Sequence, residues 1–459
     1  MVASWLAKIT EHAAVDNTSD EEGMLINAVP VLLAESVMDR TPFRSVRRVR
    51  AGRAVQLDPP RELRYWNPDM LPEVDMSLTL TDCVELLREG LEQAIRRVLP
   101  LAGGVGAHVS GGVDSTAVAC RANHILRDRG SGLVACYSWS PHEYDVPAFD
   151  GDERPLLDDV AVQERLAVTL LRDDDPIDDF ETLDPDTYPW PIETREAFVY
   201  PRARADGVRV MLNGFGGDEA ASARGFGVRR ELVRRGRLDE IAMAAWQEGT
   251  IKGRGARDQW RSVTGAVGGA VLDVLPAPAG ALRHPWTAAA RHRKERIAEA
   301  ALQRYPAAAA ARRERIDTYR AIRGRRDAMT ARLLVGYLQQ RITAWYQRGR
   351  LYGIDYRYPL LDLDLLSDVA RMPWYAFSSH GWSRPAFRLA IEPWVPASVA
   401  WNPSKAEPAH MGSLTHAPKV RRRPPDRERL ISEVWLASAP YRAPARVRGT
   451  AGGMQRLAG

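Results

Sequence analysis

Val109-Ser110-Gly111-Gly112-Val113-Asp114-Ser115-Thr116 is the stretch on which the fold turns. It follows a short apolar run at 105–109 and precedes a helix-compatible segment at 116–127, so the two glycines fall at a strand-to-helix turn. Consecutive glycines permit a tight turn and close backbone approach, and successive N–H groups at a helix start hold an anion. Val109, Gly111 and Gly112 thus offer backbone, Ser110 and Ser115 offer hydroxyls, and Asp114 offers a carboxylate able to hold Mg2+ against phosphates. The Gly-Lys-Ser/Thr ending of a Walker A loop is absent.

Working outward, the spacing predicts strands at 133–139 and 208–212 and helices at 158–170 and 193–205. Strand–helix alternation of these lengths implies a parallel sheet with ligands at the carboxyl ends of its strands. The strand at 208–212 runs into a second Gly-rich loop, Leu212-Asn213-Gly214-Phe215-Gly216-Gly217-Asp218-Glu219. Parallel strands would bring it beside the first, letting Asp218 complete a magnesium site with Asp114; Asp218 and Glu219 equally suit a helix start. Beyond residue 220 the chain reads as helical and Ala/Arg-rich, without strands. Ahead of the sheet, residues 41–66 read as short strands broken by turns at 51–52 and 59–60. A helix follows, with Asp82 and Glu85 at capping-box spacing and Val84, Leu87, Leu91, Ile95 and Val98 on one face.

With 459 residues, 45% of them hydrophobic, the chain can fill more than one core. No apolar run is long enough to span a bilayer, and the N-terminus lacks a secretory pattern, so a cytoplasmic enzyme without membrane contact is expected. The net charge of +5 comes largely from arginine runs that acidic residues interrupt, as on solvated helical faces, so no nucleic-acid partner is expected. Cys83, Cys120 and Cys136 form no Cys-x-x-Cys pair and read as buried apolar residues; the nine histidines show no zinc-ligand spacing.

The loop Ser-Gly-Gly-Val-Asp-Ser resembles the pyrophosphate loop of the ATP pyrophosphatase superfamily, whose members cleave ATP between the α and β phosphates. With the Gly-x-Gly-x-Asp-Glu loop it resembles the synthetase domain of the asparagine synthetase family. Two later blocks agree: Tyr352-Gly353-Ile354-Asp355-Tyr356-Arg357-Tyr358-Pro359-Leu360-Leu361-Asp362, and Ser383-Arg384-Pro385-Ala386-Phe387-Arg388 leading to Lys405. The resemblance runs from about residue 41 to 410. It implies an α/β PP-loop (adenine nucleotide α-hydrolase-like) synthetase domain at 76–415 with a helical C-terminal half. A short β-rich remnant of an Ntn amidotransferase-like domain would precede it at 1–75, and a basic flexible tail would follow at 416–459. It further implies ATP and Mg2+ as cofactors, a catalytic set of Asp114, Asp218 and Lys405, an adenine contact at Ser140, and nucleotide contacts at Asn213 and Gly214. Lys405 would stabilise charge on the leaving pyrophosphate, and Arg384 and Arg388 are further candidates to bind it.

Two departures shape the expected reaction. Glutamine-dependent members begin with a catalytic cysteine, whereas residue 2 is Val and no cysteine precedes Cys83. Asparagine synthetases usually carry a glutamate where Phe215 stands, and phenylalanine moves no proton. An apolar residue there fits an enlarged substrate pocket. Together with Glu153-Arg154-Pro155, Asp158-Asp159-Val160 and the basic second half, it makes the chain look most like a lasso peptide cyclase. Such an enzyme adenylates an Asp or Glu side chain of a precursor core peptide, whose own N-terminal amine then closes a macrolactam. A leader-peptide-binding protein and a leader peptidase are the partners this implies. Asparagine synthesis, fed by glutamine or ammonia, and β-lactam synthesis are the alternatives within the family; a non-catalytic binding protein is the alternative outside it.

Overall fold

A computed structural model describes residues 2, 6–28, 32–142, 152–172, 193–223, 225–274, 302–335 and 337–403. Two short helices, α1 (Leu6–Thr10) and α2 (Glu21–Ala28), open the chain, followed by a hairpin of β1 (Arg53–Leu57) and β2 (Pro60–Arg64). The expected β-rich character of 1–75 therefore holds only for this hairpin: segment 41–49 contributes isolated bridges (Ser19 with Phe43, Arg40 with Arg47) and no strand. Nor does the region stand alone. Leu25, Ile26, Leu32, Leu33, Val37 and Met38 share a small core with Leu302, Ala308 and Ala311, far along the chain.

The long helix α3 (Leu80–Val98) starts one turn-fraction earlier than its sequence suggested. Thr79, not Asp82, is the N-cap: Thr79 Oγ1 accepts from the Asp82 N–H at 3.2 Å and Asp82 Oδ2 accepts from the Thr79 N–H at 2.7 Å. Its predicted apolar face is real, with Leu87, Leu91 and Ile95 each at most 2% exposed. Burying each such side chain stabilises the fold by about 1.5–3 kcal/mol.

The site is positioned by a five-stranded parallel sheet of order β5-β4-β3-β6-β7. In chain order these are β3 (Gly104–His108), α4 (Val113–Asp128), β4 (Ala135–Pro141), α5 (Arg154–Glu164), β5 (Val168–Leu171), α6 (Glu193–Ala205) and β6 (Val208–Leu212). The helix expected over 158–170 is thus a helix and a strand. Arg165 takes the left-handed conformation (φ 53°) and ends α5, freeing Val168–Leu171 to pair with β4. Helices α7 (Val228–Arg234), α8 (Leu238–Ile251), α9 (Ala256–Val274), α10 (Pro306–Ala321), α11 (Arg325–Leu334) and α12 (Tyr337–Leu351) form the predicted helical half. Two departures follow there: β7 (Asp355–Arg357) joins the sheet edge beside β6, and β8 (Ser378–Ser379) and β9 (Trp382–Ser383) make a small hairpin. Helices α13 (Leu363–Arg371) and α14 (Pro385–Ile391) complete the described fold with a last turn at Ala397–Ala400.

Alternation along the strands gives the sheet two buried faces, as parallel sheets require. Val105, Ala107, Cys136, Val210 and Leu212 join one core with α3, α4, α13 and α14. Ala135, Tyr137, Val208 and Met211 join the other with Val199, Tyr200 and Trp345 from α6 and α12. All three cysteines are buried and free, and burial pushes the Cys83 thiol up to about 11. Among the described residues no helix is long and apolar enough to cross a membrane. Because β3 is followed on one side by β4 and β5 and on the other by β6 and β7, the strand order reverses between β3 and β6. A crevice opens at that switch point.

Candidate active site

Both Gly-rich loops meet in that crevice. After β3, Val109 extends the strand by donating its N–H to Tyr137 O at 2.9 Å. Ser110 and Ser115 are joined across the loop, Oγ to Oγ, at 2.8 Å, and Ser115 Oγ also accepts from the Ser110 N–H at 3.1 Å. Gly111 sits at φ 71°, where a side chain would be strained, and a Cβ there would lie 3.0 Å from Glu153 O. Gly112 is the N-cap of α4 and supplies no side-chain cap, so the first-turn N–H groups and the positive end of the helix dipole face the crevice. A cavity of about 210 Å3 lies over this turn, lined by Gly111, Gly112, Asp114, Lys252, Arg384 and Arg388.

After β6, Asn213 is buried and donates its backbone N–H to Arg357 O at 3.1 Å, while its Oδ1 accepts from the Phe215 N–H at 2.7 Å. Gly214 is pressed against the first loop: a Cβ would lie 2.5 Å from Ser115 N and 2.6 Å from its Cα. Only hydrogen fits between the loops, which is the physical reason for glycine there. Asp218 and Glu219 enter a π-helical turn, Gly217–Ala221. Glu219 caps it by accepting from the Gly216 N–H at 3.2 Å, which leaves the Asp218 carboxylate for the crevice. Burial first, and Asp218 second, raise the Glu219 carboxyl above its usual range.

Asp114 and Asp218 come together on one guanidinium. Arg384 Nη1 donates to Asp114 Oδ2 at 2.7 Å and to Ser222 Oγ at 2.8 Å, while Nη2 donates to Asp218 Oδ1. Ser222 donates in turn to Asp114 Oδ1. Arg384 is only 3% exposed and takes the left-handed conformation at the start of α14 (φ 61°). Burial would lower its pKa, but the two carboxylates outweigh burial and raise it. Arg388, one turn on, donates Nε to Ser383 O at 2.9 Å and Nη1 to Ala400 O at 2.5 Å.

The pair fits a magnesium ion in part. Mg2+ takes one or two carboxylates plus phosphate oxygens and water, and both carboxylates reach the same guanidinium. Among the described residues no cluster of three or more His, Cys, Asp or Glu side chains stands as a metal site. An ion held by both carboxylates would take the place that Arg384 holds here.

Of the other residues singled out from sequence, Ser140 lies near the carboxyl end of β4, its N–H donating to Ser138 Oγ at 3.2 Å. Lys405 lies outside the described residues; Asn402 and Pro403 line the cavity over the loop. Phe215 stands in an aromatic wall, its ring 5.5 Å from Trp345 and 6.5 Å from Tyr358, with the Arg341 guanidinium 4.5 Å from its centroid. Beneath the wall Glu196 is fully buried and accepts from Trp139 Nε1 at 2.6 Å, from Tyr356 OH, and from or to His108 Nε2 at 3.0 Å. Sequence reasoning missed Ser222, Lys252 and this wall. Lys252 did carry a signal, being one of five lysines in a chain with 64 basic residues.

Compared with known families, the chain matches the one described as asparagine synthase over residues 86–450. That span runs past residue 415, where the sequence reading placed the start of a tail. No individual curated protein matches the chain.

Proposed function

The chain belongs to the asparagine synthase family, an ATP-dependent carbon–nitrogen ligase, and on that premise we propose that it closes the macrolactam ring of a lasso-type peptide. An Asp or Glu side-chain carboxylate of the core peptide attacks the α-phosphorus of ATP, the bond to the β-phosphate breaks, and pyrophosphate leaves. The peptide's N-terminal amine then attacks the acyl carbon, loses a proton, and expels AMP.

In this reading the first-turn N–H groups of α4 with Ser110 and Ser115 would hold the phosphates, and Asp114 and Asp218 would hold Mg2+, which would neutralise phosphate charge. Lys405 would stabilise the leaving pyrophosphate, and Ser140 would meet the adenine.

Phe215 is the observation that carries the peptide reading. A site for ammonia and free aspartate needs polar groups where the adenylate reacts. Here that loop position presents a half-buried aromatic ring packed on Trp345 and Tyr358 with the Arg341 guanidinium over it, an apolar group where an ammonia site would need a polar one. A leader-peptide-binding protein and a leader peptidase would deliver such a substrate.

The test is a competition followed by mass spectrometry: purified chain, Mg-ATP, aspartate with ammonia, and a linear core peptide. Peptide that loses one water as AMP accumulates supports the reading. Asparagine formed with the peptide untouched refutes it in favour of asparagine synthesis.

A further inference from the structure

The cavity over the first loop is not a dead end. Lys252, Ser383, Arg388 and Pro403 line it and also line a second cavity of about 430 Å3. Among the described residues, the charged lining of that second chamber is Arg229, Lys252, Arg332 and Arg388 against one carboxylate, Glu248. Glu248 is engaged with Lys252 at 2.6 Å, an i,i+4 pair at the end of α8.

Arg388 stands between the two cavities and is 7% exposed. Its protein partners are carbonyls, Ser383 O and Ala400 O, with the Trp382 ring 5.2 Å from its guanidinium; among the described residues no carboxylate pairs with it. Burial, then neighbouring Arg384, push its pKa down to about 10, with Asp114 opposing at longer range than a direct pair. A buried guanidinium without a counter-anion is unfavourable unless an anion from outside completes it.

The reaction makes one. At the α-phosphorus the entering carboxylate and the departing pyrophosphate lie roughly in line on opposite sides. The leaving side must supply groups that bind the departing anion. None of Phe215, Trp345 or Tyr358 lines either cavity, whereas Arg388 and Lys252 line both.

We infer that the second chamber is an inorganic pyrophosphate site, into which Arg388 and Lys252 pass the leaving group from the loop and from which it departs to solvent. Arg229, exposed on α7, and Arg332, whose guanidinium lies 4.6 Å from the Phe226 ring, form its far wall. Holding pyrophosphate there separates it from the adenylate and slows the reverse reaction.

The experiment uses the full-length chain and no acceptor, so it is independent of which amide the enzyme forms. Calorimetric titrations with magnesium pyrophosphate and with α,β-methylene-ATP are compared in wild type and in Arg229→Glu, a change at an exposed side chain that lines only the second chamber. Reversing that charge is expected to weaken pyrophosphate about tenfold while moving the ATP analogue by less than about twofold. Ala244→Trp, which fills the chamber, is expected to weaken magnesium pyrophosphate at least as much while moving the ATP analogue by less than about twofold. Unchanged pyrophosphate affinity in Arg229→Glu overturns the inference. So does equal weakening of both ligands, which would place the effect in the ATP site itself.

Discussion

Replacing Arg384 by Gln separates two roles that one guanidinium holds in this structure, ion partner of Asp114 and ion partner of Asp218. Removing one side of a buried charge pair destabilises by about 3–5 kcal/mol, because the remaining charges stay desolvated. Here Arg384 is 3% exposed, but Asp114 is 14% and Asp218 37% exposed. Water relieves part of the penalty, leaving about 2–3 kcal/mol. For a chain of 459 residues that lowers the melting midpoint by about 2–3 °C. Magnesium then acts oppositely in the two proteins. In the wild type it must displace Arg384 to reach the carboxylates; in the variant the two carboxylates face an empty centre. A cation present at a hundred times its Kd restores about 2.7 kcal/mol, so Mg2+ should recover nearly the whole loss in Arg384→Gln and move the wild type little. Scanning calorimetry with and without magnesium reads both effects. An unchanged midpoint in the variant without magnesium, or an equal magnesium shift in both proteins, refutes the idea that Arg384 and the metal share one position.

Gly214→Ala forces the two loops apart, since its Cβ would lie 2.5 Å from Ser115 N; ATP-dependent turnover should fall at least about a hundredfold, with about 2 kcal/mol lost in denaturant unfolding. Thr79→Ala removes one half of the α3 capping box and should destabilise by about 1 kcal/mol in the same assay, with activity retained. Asp368 tests the sign of a buried carboxyl: burial, opposed by Arg371 and reinforced by Asp364 and Glu89, raises its pKa in the fold. The folded state thus holds that proton more tightly, a contribution present below the unfolded pKa and lost as pH rises through the folded one. Asp368→Asn should therefore raise the melting midpoint at pH 7 and leave it unchanged near pH 3, and a uniform shift at both would show that ionisation is not responsible.

The two loops were legible because their chemistry is local. Glycines, hydroxyls and an acid follow an apolar strand, and no long-range information is needed to see that the backbone turns there. Strand β5 was not legible, because apolar spacing carries on from α5 without a glycine or proline; the break is made by Arg165 entering the left-handed region, which its side chain does not advertise. Strand β7 is three residues on a sheet edge, too short to show alternation. Around the N-terminus the difficulty was distance. The apolar residues at 25–38 find their core partners at 302–311, and Glu22 accepts from the Ala307 N–H at 2.6 Å at the start of α10. The meeting of Arg384 with Asp114 is of the same kind, 270 positions apart. Both aspartates could be seen as a pair from sequence; the cation between them could not.

In the proposed reaction a carboxylate of the substrate becomes an adenylate in the crevice between the two loops. Labelling that carboxylate with heavy oxygen and analysing the nucleotide product by mass spectrometry tests it most directly. One labelled oxygen in AMP, with none in pyrophosphate, is the predicted result. Label appearing in inorganic phosphate alongside ADP would mean an acyl phosphate instead, and would contradict the assignment of the loops to cleavage between the α and β phosphates.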